Sequence, residues 1–259
     1  MAQVVAAVDG SAVSRSVLRT AASLAELLGG AAEALYVGQL PAPDVERVVA
    51  ESGLKLRCVP GEPQAVISQV LASPDVRLGV LGARGTRTGR RPAGRTALAV
   101  LQAARRPLVV VPPDADGPRN GHLDCVLAPL DGSEASAHAV AESVRLFCAH
   151  GVDVVVLHVF EAATVPRFWD QAQHAQPVWE HEFRARFCDA EGVRVQVRSG
   201  VPGEHVVSVA AEEQADLIVL GWAQDLTAGR ARTVRQTLSS AGVPVLLVPL
   251  AEPEGGGRR

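Results

Sequence analysis

Val4-Val5-Ala6-Ala7-Val8-Asp9-Gly10-Ser11 returns 122 positions later as Val126-Leu127-Ala128-Pro129-Leu130-Asp131-Gly132-Ser133. The same offset carries Gly29 onto Gly151 and Val37 onto Val159. Each copy is a short β-branched run that ends in an acid, a glycine and a hydroxyl residue, followed by a helical pattern. A fold built on it must therefore contain the same unit twice. An apolar strand emptying into Asp-Gly-Ser at a helix start is the place where α/β proteins bind ligands, at the carboxyl edge of a parallel sheet.

The remaining elements follow in the same order in both copies. In the first, strands are predicted at 4–8, 34–37, 54–59, 78–81 and 107–111. The intervening helices cover 17–28, about 44–50, 64–71 and 96–104. Val17, Ala21, Leu24, Ala25 and Leu28 give the first helix its i, i+4, i+7, i+8, i+11 apolar stripe, and Gly29-Gly30 end it. In the second, strands at 126–130, 154–159, 193–198, 217–220 and 245–248 alternate with helices at 136–149, near 178–187, near 205–213 and near 232–239. Pro60-Gly61-Glu62 recurs as Pro202-Gly203-Glu204, an offset of 142, so the second copy has gained about twenty residues, containing Trp169 and Trp179. Five strands alternating with four helices, twice, make two tandem doubly wound five-stranded parallel sheets of Rossmann-like α/β type. Residues 1–113 and 122–251 form the two domains, 112–121 the linker, and 252–259 a disordered tail.

Composition agrees with buried parallel strands. The chain of 259 residues is 47% hydrophobic but only 3% aromatic, so the core must be Val, Leu, Ile and Ala. Cys58, Cys125, Cys148 and Cys188 form no Cys-x-x-Cys pair, and the seven histidines show no ligand spacing, so reduced thiols and no metal are expected. No basic leader precedes Asp9 and no apolar run approaches the ~20 residues a bilayer needs, which points to a cytoplasmic protein with no membrane partner. No nucleic-acid partner is expected. The net charge of −3 hides an asymmetry. Residues 1–120 hold 14 Arg and Lys against 10 Asp and Glu, with the excess concentrated in one loop.

That loop is the strongest chemical signal. After the fourth strand, Leu81 and Gly82 open a segment in which Gly82, Gly85, Gly89 and Gly94 let backbone amides approach an anion. The following helix adds its positive end. Arg84, Arg87, Arg90, Arg91 and Arg95 bring five cations and no acid. The pattern suits a polyphosphate, and a merely solvated basic loop is the plainer alternative. Gly89-x4-Gly94-Arg95-Thr96 imitates a P-loop but has arginine for lysine and follows the wrong strand. No Gly-x-Gly-x-x-Gly follows the first strand, and Lys55, the sole lysine, has no kinase context.

A strand closing on Asp-Gly-Ser, the Pro-Gly-Glu turn, Leu-Gly after the fourth strand and the closing Pro107-Leu-Val-Val-Val-Pro112 together resemble the universal stress protein family, in both halves. The resemblance implies an adenine-nucleotide α-hydrolase-like fold with the two domains related by a pseudo-twofold axis. It implies a stress-response regulator that holds ATP as a ligand, or an interaction module that binds no nucleotide. Slow incidental ATP hydrolysis is a third reading, disfavoured because no catalytic triad, metal cluster or paired carboxylates are present.

ATP-binding members of the family carry Gly-x2-Gly-x9-Gly-(Ser/Thr). Gly82, Gly85 and Thr96 match, while Arg95 takes the third glycine's place with Gly94 one position early. Asp9, Gly10 and Ser11 would face the adenine and ribose, and Val37 would lie beside the base. In the second half Asp131, Gly132, Ser133, Val159 and Gly221 are kept. Gln224 replaces the second glycine there, and Val234-Arg235 the last two positions, with Asp225 opposing an anion and Gly229, Arg230 and Arg232 favouring one. This half reads as a degraded site. The family also pairs its last strands antiparallel between domains, so Leu108–Val111 and Val245–Val248 are expected to join the halves as an internal pseudo-dimer, with a further homodimer possible. Trp169, Trp179 and Phe183 would cover the second pocket, form an interface or simply pack in the core.

Overall fold

The computed structural model describes residues 3–83, 93–115, 117–118, 120–161, 164, 175–187, 192–225 and 231–250. Its first half runs β1 (Gln3–Val8), α1 (Ser14–Leu27), β2 (Ala31–Val37), α2 (Pro43–Ser52), β3 (Lys55–Val59), α3 (Pro63–Leu71), β4 (Val76–Gly82), α4 (Arg95–Ala103) and β5 (Leu108–Val111). The second runs β6 (Cys125–Pro129), α5 (Glu134–Ala149), β7 (Asp153–Phe160), α6 (Ala175–Phe187), β8 (Arg194–Ser199), α7 (Pro202–Glu212), β9 (Leu217–Trp222), α8 (Arg232–Ser240) and β10 (Val245–Pro249). Local chemistry sets many of these boundaries. Pro43, Pro63 and Pro202 open their helices, where a missing N–H costs nothing. Glu62 caps α3 by accepting from the Ala65 N–H at 3.1 Å, and Gly53 ends α2 in the left-handed region at φ 71°.

Both five-stranded parallel halves are present, and they are fused into one sheet of order β3-β2-β1-β4-β5-β10-β9-β6-β7-β8. All neighbours pair parallel except at the centre, where β5 and β10 run antiparallel with Val110 opposite Val245, Val109 opposite Leu246 and Leu108 opposite Leu247. The closing strands thus join as the family resemblance implied. Helices cover both faces of the sheet. Val17 of α1, Val45 of α2, Val140 of α5 and Phe183 of α6 share one apolar layer, whereas Val66 of α3, Val100 of α4, Val206 of α7 and Leu238 of α8 share the other. Each layer runs without a break through both halves, so the seam is as apolar as the core on either side of it. The outermost strands carry Lys55 and Arg57 on β3, and Arg194 and Arg198 on β8, charges that discourage edge-to-edge pairing.

The expected tail at 252–259, Trp169 and Cys188 lie outside the described residues. No described helix is long and apolar enough to cross a membrane. The helix expected near 178–187 begins earlier, at Ala175.

The described cysteines differ sharply. Cys58 is exposed, whereas Cys125 is buried at the start of β6, and its thiol is pushed up to about 11 by burial, with the Asp153 carboxylate adding to the shift. A raised folded pKa favours the protonated thiol, so this contribution to stability is complete below about pH 9 and lost as pH rises through about 11. Only the thiolate alkylates readily. Iodoacetamide at pH 8 on native protein should modify Cys58 well before Cys125. Comparable labelling of the two, read by peptide mass spectrometry, would contradict this environment.

Candidate functional site

The strand order of the first half reverses between β1 and β4, and the carboxyl ends of these two neighbours lie side by side, with Ala7 in register with Leu81. That crevice is where an open α/β sheet accepts ligands. Asp9-Gly10-Ser11 leaves β1 on one side of it. Gly10 adopts φ 78°, and a β-carbon there would stand 3.0 Å from Val45 Cγ2 of α2, so this turn needs glycine for both conformation and space. Asp9 Oδ1 accepts from the Ser11 N–H at 3.0 Å. Ser11 Oγ is enclosed, with no hydrogen-bond partner among the described residues. The following helix α1 begins with Val13 as its N-cap and has no side-chain cap.

On the other side, Gly82 ends β4, with Val111 beside it. The base of the arginine loop is closed by the Gly94 N–H donating to the Ala83 carbonyl at 2.6 Å. Gly94 is the N-cap of α4, with Arg95 exposed and Thr96 half-buried in its first turn. The arginine therefore points no bulk into the covered interior at that position. Val37 is half-buried at the end of β2. Arg84, Gly85, Arg87, Gly89, Arg90 and Arg91 lie outside the described residues.

The second half repeats the Asp-Gly-Ser turn with different hydrogen bonding. Asp131 Oδ1 accepts from both the N–H and the hydroxyl of Ser133, at 2.9 and 2.7 Å, and Ser133 Oγ accepts from the Ser136 N–H at 3.2 Å to cap α5. The hydroxyl left free in the first copy is fully engaged here. Beside Val159, which is half-buried like Val37, His158 lies buried with Nδ1 2.9 Å from the Leu130 carbonyl oxygen. Its ring packs against Phe160 at 4.6 Å and Phe183 at 4.7 Å, and Trp179 stands edge-on to Phe160 at 5.6 Å. A β-carbon at Gly132 would meet His158 Cε1 at 3.3 Å. On the phosphate side, a β-carbon at Gly221 would lie 3.1 Å from Leu250 Cδ2.

Gln224, in the second glycine's place, adopts φ 58°, and its side-chain amide donates to the Ala104 carbonyl in the other half. This side chain is a strut between the halves. Arg232 is exposed at the start of α8, and Gly229 and Arg230 lie outside the described residues. The parts missed in the sequence are His158 and the cross-half role of Gln224. His158 had a signal, since its counterpart in the first copy is Tyr36, one residue before Val37.

No group of three or more His, Cys, Asp or Glu that could hold a metal occurs among the described residues. The first crevice offers backbone amides, an uncapped helix start and an unpartnered hydroxyl, groups that can bind an anion.

Residues 123–249 match the family model described as the Universal stress protein family. The second half is a universal stress protein domain. A universal stress protein from Mycolicibacterium smegmatis is 30% identical over 159 residues, spanning 58% of this chain and 53% of that protein, so the chain matches about half the length of that relative. A second, described as the universal stress protein in the QAH/OAS sulfhydrylase 3' region of Thermus aquaticus, is 29% identical over 109 residues, 37% of this chain and 74% of its own length. The crystal structure of a universal stress protein from Archaeoglobus fulgidus superposes with a TM-score of 0.67 at 19% identity, covering 95% of this chain and 98% of that one. Both halves therefore share the universal stress protein fold.

Proposed function

We propose that the chain is a tandem universal stress protein, with domains at 1–113 and 122–251, that binds an adenine nucleotide in its first half as a regulatory ligand. The carrying observation is the contrast between the two Asp-Gly-Ser turns. In the second, the Ser133 hydroxyl is engaged with Asp131 and the Ser136 N–H, and the His158 and Phe183 rings pack against the turn. In the first, Ser11 Oγ is enclosed without a partner and α1 has no cap, so polar capacity remains for a ligand. In this reading Asp9, Gly10 and Ser11 face the ribose and adenine, and Val37 lies beside the base. Leu81, Gly82, Arg84, Gly85, Gly94, Arg95 and Thr96 hold the phosphates by backbone amides, guanidinium groups and the start of α4. ATP supplies negative charge that changes the conformation or partner choice of the chain, and no residue is assigned to catalysis. Asp131, Gly132, Ser133, Val159, Gly221, Gly229, Arg230 and Arg232 are relics of a second site.

Thermal melting in rising ATP tests this. Ligand at 100 times its Kd should add about 2.7 kcal/mol of stability and raise the midpoint by several degrees. Gly82→Val, which places a branched side chain where the phosphates pass, should keep the fold and lose the shift. A midpoint unmoved by millimolar ATP removes the nucleotide and leaves an interaction module. A shift undiminished in Gly82→Val moves the site elsewhere.

A further inference from the structure

At the amino ends of β4 and β5, on the edge of the sheet opposite the nucleotide crevice, the carboxyl ends of α3 and α4 enclose a cavity of about 560 Å³. That is a size typical of small-molecule pockets. Leu71, Val76, Val100 and Leu108 form apolar walls, and Arg105 and Arg106 stand in the lining with no acidic residue among their neighbours there. Neither arginine makes an ion pair among the described residues. Ser68 Oγ, also in the lining, is enclosed and without a hydrogen-bond partner among the described residues. Apolar walls, two unpaired guanidinium groups and an unused hydroxyl are the recognition elements for a molecule with a hydrocarbon body and an anionic head.

The repeat supplies an internal comparison. Gly79 pairs with Leu108 as Ile218 pairs with Val245, which fixes the correspondence of the two halves. Gly242 and Val243 stand where the first half has Arg105 and Arg106, and Val207, five residues after Pro202 as Ser68 is after Pro63, stands where it has Ser68. Simple helix termination thus requires neither the arginines nor the serine. The free carbonyls at the ends of α3 and α4 oppose an anion, but each end carries only about half a negative charge against two full positive ones. The pocket is net cationic.

We propose that this cavity binds a small amphipathic carboxylate, with its apolar chain between α3 and α4 and its head on Arg105 and Arg106. Its rim includes Ala104, whose carbonyl takes the Gln224 amide from the other half, so an occupant touches the contact between halves.

Decanoate tests the proposal, with decanol as the neutral counterpart and 8-anilinonaphthalene-1-sulfonate as the fluorescent reporter, on the full chain with and without saturating ATP. Saturable reporter binding should be displaced by decanoate and unaffected by ATP. The double variant Arg105→Gly, Arg106→Val carries the residues of the second half at exposed or half-exposed positions and should fold normally. It should weaken decanoate about tenfold or more while leaving decanol and the melting temperature unchanged. Ser68→Ala should weaken decanoate to a smaller degree. No saturable binding, displacement by ATP, or equal effects of the double variant on decanoate and decanol would each overturn the proposal.

Discussion

Val110→Asp should abolish the folded chain. Val110 is 0% exposed at the centre of the ten-stranded sheet, with β4 on one side and Val245 of β10 opposite it on the other. Both flanking helix layers are apolar, so a carboxylate there meets no cation and no donor beyond amides already engaged in the ladder. An unpaired charge in such a place costs upwards of about 4–5 kcal/mol, comparable with the whole stability of an ordinary domain. Val110→Ala keeps the position neutral and should cost about 2 kcal/mol, the transfer of two methyl groups plus a small cavity term. Far-UV circular dichroism and size-exclusion chromatography separate the outcomes. A Val110→Asp protein that elutes as a monomer and melts within a few degrees of the parent would show that the seam is not the common core it looks to be.

Asp216→Ala should be the next most damaging. Asp216 is 5% exposed just before β9, and its Oδ2 accepts from the N–H of Asp124 at 2.9 Å and of Cys125 at 3.1 Å. Its own N–H donates to the Cys125 carbonyl at 2.8 Å. The side chain therefore pins the first residues of β6 to β9 where ladder bonds have not yet begun. Alanine leaves the buried Cys125 N–H and the partly buried Asp124 N–H without acceptors, a loss of about 2–3 kcal/mol. Asparagine keeps one carbonyl oxygen in place and should cost about half as much. Urea unfolding measures both. A midpoint for Asp216→Ala within error of the parent would mean that water replaces the carboxylate and that the site is less enclosed than its geometry indicates.

Much of the architecture was legible because the repeat and the apolar periodicities report local structure. Val126-Leu127-Ala128 reads as a strand wherever it lies, but the two Pro-Gly-Glu runs misalign the third helices, because Pro60-Gly61-Glu62 precedes α3 while Pro202-Gly203-Glu204 is the first turn of α7, and it is Pro63 that corresponds to Pro202. The joining of Leu108–Val111 with Val245–Val248 followed from the family resemblance together with two all-apolar runs that needed cover.

What stayed hidden depends on contacts between distant residues. Gln224 reads as a lost glycine, and only the fold shows its amide meeting Ala104, 120 positions away. His158 and Phe183 are ordinary core residues in sequence, yet packing brings both rings to the Gly132 turn. Ser11 and Ser133 occupy identical motifs, and only the hydrogen bonds show one engaged and the other unpartnered. The arginine pair 105–106 was overlooked because a cavity has no linear signature.

The central seam also sets the order of events during synthesis. β5 leaves the ribosome more than 130 residues before β10, the strand that completes it. At ~5–20 residues per second its Leu-Val-Val-Val edge stays open for roughly 10–30 s, far longer than a half-domain needs to collapse. Throughout that interval the nascent first half presents a sticky rim to any similar chain on the same polysome. Yield on rapid overexpression should therefore depend on holdase chaperones rather than on the final stability of the protein.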